Sequence, residues 1–253
     1  MYPEVPVNWF MLALEATEAI RALMAKACVT KLVNMDEMFL NFYPKKTHWI
    51  VLTGTKRVGA NRKEDEKTPC TLYHHGWEAP RYLAKRYLNW DGYASYLEWL
   101  SECYPDECVG LIWGHAAAHI TDDVLVYAAE LGIIVGFIPA GITSILQVCD
   151  LFLNKPLKAA FKRSCCAYKM RCDLGPGGKY KGDRDDIVIW IEEATKEAHK
   201  KQLPTRGITE AFRRYGQDPR EESNYELVDH LKGLEESRVY ASLLEKQCAA
   251  DLD

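Results

Sequence analysis

Two apolar runs, Val109-Gly110-Leu111-Ile112-Trp113 and Ile133 to Ile138, flank a segment that starts at Thr121-Asp122-Asp123 and stops at Gly132. That order constrains the fold more than any other feature of the chain. The runs are too short and too apolar for surface helices and read as buried strands, the second stopped by Pro139. The segment between them has a helix start at Thr121, a plausible N-cap, and a helix stop at Gly132. Strand, helix and strand in such quick succession make a βαβ unit and predict an α/β domain. Val29 to Val33 reads as a further strand, and His48 to Leu52 as another, closed by Thr53-Gly54.

Helices are predicted around this centre. Asn8 to Lys26 carries Leu12, Leu14, Ala19, Ile20 and Leu23 at roughly helical spacing. Tyr93 to Leu100 is a short helix with Tyr96, Trp99 and Leu100 inward, and Pro156 to Arg171 is another. Gly175-Pro176-Gly177-Gly178 is the clearest linker. Beyond it Asp185 to Lys201, Thr209 to Tyr215 and Tyr225 to Cys248 read as charge-rich helices. The charged run Lys56 to Lys67 reads as an exposed loop. The expected organisation is an N-terminal helix over 1–28, an α/β domain over 29–174, and a helical C-terminal extension over 179–253.

The 253 residues are 48% hydrophobic and 27% charged, which suits one large domain or a domain with an appendage. A formal net charge of −4 does not announce a nucleic-acid binder, so any such role needs a local patch. Nine cysteines without framework spacing fit a reducing compartment. Glu15, Glu18, Arg21 and Lys26 break the apolar N-terminal stretch, which is neither a membrane span nor a signal peptide. The expectation is a soluble intracellular protein.

Two isolated acids stand where strands end or helices begin. Asp36 follows the Val29–Val33 strand, and Asp150 closes Ile145-Leu146-Gln147-Val148-Cys149-Asp150. Phosphodiester cleavage by two metal ions needs several hard oxygen ligands in one place, and acids at neighbouring strand ends can converge to supply them. A lone Asp at a strand end is more often a cap or turn residue. The surrounding words strengthen the case. Asn34-Met35-Asp36-Glu37, then Gly114-His115-Ala116-Ala117-Ala118-His119, then Pro139-Ala140-Gly141-Ile142-Thr143-Ser144-Ile145-Leu146-Gln147-Val148-Cys149-Asp150 follow in order, with Asn154-Lys155-Pro156-Leu157-Lys158 after them. Over roughly residues 30 to 170 the chain resembles the DDE-superfamily endonuclease domain of pogo/Tigger/mariner-type transposases. The resemblance implies an RNase H-like mixed sheet flanked by helices, Mg2+ or Mn2+ as cofactor, and DNA strand cleavage and joining. It also implies a nuclear location.

Carried over residue by residue, Asp36 matches the first acid and metal ligand, and Asp150 the third. The second acid falls on Gly114, which has no side chain. Met38 stands where the family has Thr, and Val148 where it has Pro. The stretch between 73 and 92 is short for the family and predicts a missing or shortened strand, with a sheet edge left uncovered. Asp122 and Asp123 more readily favour the helix dipole than replace the lost acid. His115 and Glu37, as neighbours in extended segments, point away from the site. His119 matches a family His, and both a site-orienting hydrogen bond and a core position remain open for it. The expected result is a transposase-derived domain whose metal-dependent cleavage is lost or impaired. An active endonuclease and a non-functional transposon remnant are the alternatives.

From Lys155 to Arg171 the chain has six basic residues and no acidic one. Lys155, Lys158, Lys162 and Lys169 share one helical face, with Arg163 beside them, and Leu157, Phe161 and Tyr168 another. The apolar side is expected to dock on the sheet. The basic side is open to two readings: non-specific binding of DNA phosphates next to the site, or a solvated face. Zinc at Cys103, Cys108, His115 and His119 is disfavoured, because only six residues separate the pairs. Cys165, Cys166 and Cys172 read as free thiols, and His74-His75 has no assigned role. The family carries an N-terminal helix-turn-helix region. The chain is expected to start too late for one, and so to lack sequence-specific recognition of transposon ends.

Overall fold

The computed structural model describes residues 6–41, 69–73, 81–83, 90–115, 121–171, 184–201, 205–221 and 226–235. The elements are α1 (Trp9–Lys26), β1 (Lys31–Met35), β2 (Glu37–Asn41), β3 (Pro69–Tyr73), β4 (Arg81–Leu83), α2 (Trp90–Cys103), β5 (Val109–Gly114), α3 (Asp122–Glu130) and β6 (Ile134–Ile138). After these come α4 (Thr143–Leu146), a π-helical turn (Cys149–Leu153), α5 (Asn154–Arg171), α6 (Arg184–Lys201) and α7 (Thr205–Arg214). Residues 226–235 are also helical. The expected strand at His48–Leu52, the run Lys56–Lys67, His74-His75, His119, Cys172, the Gly175–Gly178 linker and the end of the C-terminal helix lie outside the described residues.

The predicted βαβ unit is present. β1, β5 and β6 form a parallel sheet in the order β1-β5-β6, with Met35 opposite Trp113 and Gly114 opposite Ile138. Between β5 and β6, α3 ends at Gly132, whose φ of +72° is the left-handed geometry that glycine adopts without strain. Ile133 N donates to Ala128 O, closing the turn. Thr121 has the extended backbone of an N-cap, but its hydroxyl makes no capping bond.

A second, antiparallel ladder runs β2-β3-β4. A single residue, Asp36, separates β1 from β2. The strand that pairs in parallel with β5 thus passes through Asp36 into one that pairs antiparallel with β3. The strand expected to be missing or shortened is present as the three-residue β4, paired with β3 through Thr71, Leu72 and Tyr73.

Alternation along the strands sorts the core into two layers. Odd-numbered Val33, Met35, Val109, Leu111 and Trp113 pack with Tyr93, Tyr96, Leu97 and Leu100 of α2 and with Val124 and Ala128 of α3. Even-numbered Ile112 and Ile138 face α1 and the helices that follow the sheet. β5 is buried on both faces, and its nearly continuous apolar run reflects this. On the even face α1 lies close: a Cβ added at Gly136 would fall 2.9 Å from Met24 Cε. Ala13, Ala16, Ile20 and Met24, at helical spacing, form the buried side of α1.

α5 buries Leu157, Ala160, Phe161 and Cys165. Its principal neighbour is α6, not the sheet on which its apolar side is expected to dock. The reason is Trp190 of α6, which takes Phe161 and Tyr168 edge-on at centroid distances of 6.2 and 5.3 Å. Among the described residues the helices after residue 184 form no separate core. Trp190, Ile191, Ile208, Phe212, Leu227 and Leu231 join the same cluster as α1 and α5.

Candidate functional site

The two expected acids meet. Asn154 Nδ2 donates to Asp36 Oδ2 at 2.9 Å and to Asp150 Oδ1 at 2.8 Å, so one side-chain amide bridges both carboxylates. The acids come from opposite ends of the fold's central connection, 114 positions apart by residue number.

Two buried amides create this meeting. Asn34 is 1% exposed and lies on the even face of β1. Its Nδ2 donates to Ile112 O at 3.2 Å and to Gln147 Oε1 at 3.3 Å, and its Oδ1 accepts from Cys149 N at 2.9 Å. Gln147, also 1% exposed, donates from Nε2 to Met35 O at 2.6 Å. Cys149 Sγ donates to Asn34 O at 3.2 Å. The segment from α4 into the π turn is thereby fastened to the end of β1, with Asp36 one residue beyond the fastening on one side and Asp150 one residue beyond it on the other. Gln217 Nε2 donates to Leu146 O and holds the same segment from the C-terminal side.

Gly114 ends β5. The last parallel pair is Met35 with Trp113, so Asp36 and Gly114 are the next residues along the two strands. Both are even-numbered, so a side chain at 114 would project to the face that carries Asp150. A Cβ built there would meet only Thr143 Cγ2, at 3.5 Å, an ordinary contact. Position 114 thus has room for a side chain, and glycine supplies none.

His115, Asp122 and Asp123 lie elsewhere. His115 is exposed, and its ring meets Phe137 edge-on at 5.8 Å, on the odd face as alternation requires. Asp122 and Asp123 line a surface groove with Trp90, Val126, Tyr127 and Glu130 on the α2–α3 side. Among the described residues no group of three or more His, Cys, Asp and Glu is placed to hold a metal ion, and this includes Cys103, Cys108 and His115. Val148, where the family has proline, has φ −58°, a value that proline also takes.

Cys149 is buried beside the two acids. Burial first, and then the charges of Asp36 and Asp150, push its thiol well above the ordinary value and keep it protonated. A neutral Cys149 adds no third negative charge and serves as a small apolar wedge.

Lys155, Lys158 and Lys162 are exposed along the outer side of α5, beginning one residue after Asn154. Arg163 is engaged: its Nη2 lies 3.1 Å from Glu197 Oε1 on α6. Lys169 continues the helix. Three residues that hold the two acids together were not singled out in the sequence: Asn34, Gln147 and Asn154. The signal was present, since an amide inside an apolar strand or beside buried residues must be hydrogen-bonded.

No family model matches the chain, and no curated protein matches it. Solved structures do. A pre-cleavage Mos1 transpososome matches with a TM-score of 0.59 and 14% identity, over 92% of this chain and 63% of that one. The Mos1 transposase paired-end complex with left transposon end matches at 0.56 and 16%, over 85% and 62%. The Mos1 transposase catalytic domain with Raltegravir and Mn matches at 0.51 and 12%, over 87% of this chain and 98% of that one. The chain therefore spans a little over three fifths of the transposase chains in the first two complexes. It has the RNase H-like fold of the Mos1 transposase catalytic domain.

Proposed function

We propose that the chain is a transposase-derived DDE-type domain that binds DNA and whose metal-dependent strand cleavage is lost or impaired. The observation that carries this reading is the meeting of Asp36 and Asp150 on Asn154 beside a vacant second-acid position at Gly114. The solved neighbours include DNA complexes and Mn-containing structures of Mos1 transposase, which supports DNA and a divalent cation as the partners.

Asp36 and Asp150 would hold the cation. A bound Mg2+ or Mn2+ would supply Lewis-acid stabilisation of charge on a phosphate oxygen. The chain's own contribution is positioning. Asn34 and Gln147 fix both acids before any ligand arrives, and preorganisation of this kind lowers the reorganisation needed on binding. With Gly114 the chain offers two carboxylates where the family offers three, so fewer hard oxygens are available to hold a pair of ions. The fold is prepared, while the charge balance for two-ion cleavage is not.

Lys155, Lys158 and Lys162 would contact the phosphate backbone without reading sequence, since point charges on a helix face position DNA rather than specify it. A nuclear location belongs to this proposal. Among the described residues no helix is long and apolar enough to cross a membrane. Fluorescence anisotropy with a labelled duplex tests the reading. Affinity should fall steeply, by roughly 10- to 1,000-fold between 50 and 200 mM salt for a few phosphate contacts. Binding that ignores salt, or no binding at low salt, would overturn it.

A further inference from the structure

We propose that Asn154 is the third oxygen ligand of a single divalent-cation site with Asp36 and Asp150, taking through its side-chain carbonyl the part that Gly114 leaves empty. The proposal rests on the reading of the acid pair as a cation site and adds the ligand set and the stoichiometry.

The spacing is the first observation. One end of the Asn154 amide lies 2.9 Å from Asp36 Oδ2 and 2.8 Å from Asp150 Oδ1. Such distances suit hydrogen bonds to carboxylates. They also equal the edge of an oxygen octahedron, about 2.9 Å when each ligand lies about 2.1 Å from the ion. The amide thus stands where a ligand of the same ion would stand.

The second observation is independent. Asn154 is 4% exposed, and its Oδ1 is buried without a hydrogen-bond partner among the described residues. A buried acceptor left unpaired is uncommon in folded proteins, so the orientation that turns the N–H donors to the carboxylates leaves this amide only half satisfied. The two ends of a side-chain amide are nearly equal in size, so half a turn about χ2 exchanges them without moving α5. Without a cation the N–H donors face the two carboxylates and relieve their repulsion. With a divalent ion between the carboxylates those donors would be repelled, and the carbonyl is the end that turns inward. Asn carbonyls are ordinary ligands of hard divalent cations.

Position and charge agree with this. Asn154 is the first residue of α5 and follows Asp150 by four residues across the π turn, which sets the two side chains on one side of the helical segment. Two carboxylates and one neutral amide balance one divalent ion. A second ion would add two positive charges without a further protein oxygen from this set. The site therefore takes one hard divalent ion, Mg2+ or Mn2+, where the transposase pattern of three acids serves two.

Calorimetric titration of the whole chain with MnCl2 tests this. The wild type should bind one ion, and Asp36→Ala should bind none. Asn154→Ala should bind at least about tenfold more weakly, the size of loss that follows from disturbing a metal site. Asn154→Asp, with a third carboxylate, should bind more tightly than wild type. If Asn154→Ala binds as well as or better than wild type while Asp36→Ala binds nothing, Asn154 only donates to the acids. The proposal then fails and the cation reading of the acid pair stands. If the wild type binds no Mn2+ at millimolar concentration, both fail. A folding defect in Asn154→Ala would not shelter the proposal. The Asn154 side-chain amide signal of the 15N-labelled wild type, assigned by its loss in Asn154→Asp, should move with Mg2+ and saturate with the calorimetric curve. An unmoved signal would overturn the proposal.

Discussion

Replacing Asn34 with alanine should do more damage than any other single truncation near the site. Its side chain makes three hydrogen bonds, to Ile112 O, Gln147 Oε1 and Cys149 N, and all lie in the interior. Alanine leaves the Cys149 N–H and the Gln147 oxygen without this partner. Each buried polar group left unpaired costs about 1–3 kcal/mol, and the costs of neighbours do not simply add. A total loss of about 2–4 kcal/mol follows, a large part of the roughly 5–15 kcal/mol available to a domain. For a chain of this length that corresponds to a fall in Tm on the order of 5–10 °C. Urea unfolding followed by circular dichroism would report it as a lower midpoint at unchanged slope. Asn34→Ala combined with Gln147→Ala should cost less than the sum of the two single changes, because they share a bond. A loss below about 0.5 kcal/mol for Asn34→Ala would refute the idea that this amide fastens the two acid-bearing segments together.

The remaining expectations concern charge and reactivity. Lys158→Glu with Lys162→Glu should weaken binding to every duplex tested and lower the slope of log K against log salt by about 2, whereas Arg163→Ala, whose partner is Glu197, should leave affinity nearly unchanged; equal losses from both would contradict this division. Native protein at pH 8 treated with iodoacetamide should be labelled at exposed Cys28 and Cys166 but not at Cys149, whose thiol burial and then Asp36 and Asp150 hold protonated; rapid labelling of Cys149 would show the interior to be open. Burial raises the Asp218 carboxyl, but its hydrogen bonds and charge contact with Arg220 outweigh this and hold it below the usual value. A depressed carboxyl stabilises the fold above its unfolded value, about 3.9, and loses that contribution as pH falls through the lower folded value. The stability gap between wild type and Asp218→Asn should therefore be present at pH 7 and close below about pH 4; a gap that widens in acid would reverse the sign.

Much of this arrangement was legible in the sequence because it rests on local pattern. β5 announced itself as an apolar run, and α3 by its acidic start and its glycine stop. Asp36 and Asp150 stood out only weakly as acids at segment ends, and it was the resemblance of the flanking words to the transposase pattern that paired them. What could not be read is how far-apart segments meet. Nothing in the spacing of Asn34 and Gln147 says that their amides bond across 113 positions, although the burial of each could be suspected from apolar neighbours. Asn154 was visible only as part of a motif word, and its role depends on a π turn that no propensity forecasts. β4 escaped notice as a strand because three residues leave too little alternation to recognise. The apolar face of α5 was recognised, but its partner was misassigned. A helix face states that it will be buried and not by what, and here Trp190 from beyond the Gly175–Gly178 tract supplies the cover.

On the proposed reading the chain keeps the fold of a transposase catalytic domain while Gly114 leaves cleavage lost or impaired. Conversion of supercoiled plasmid to open circles in Mn2+ tests it most directly. The wild type should show no nicking above background. Gly114→Asp, whose Cβ would meet only Thr143, should gain nicking that Asp36→Ala then removes. Robust nicking by the wild type, abolished by Asp36→Ala, would contradict it.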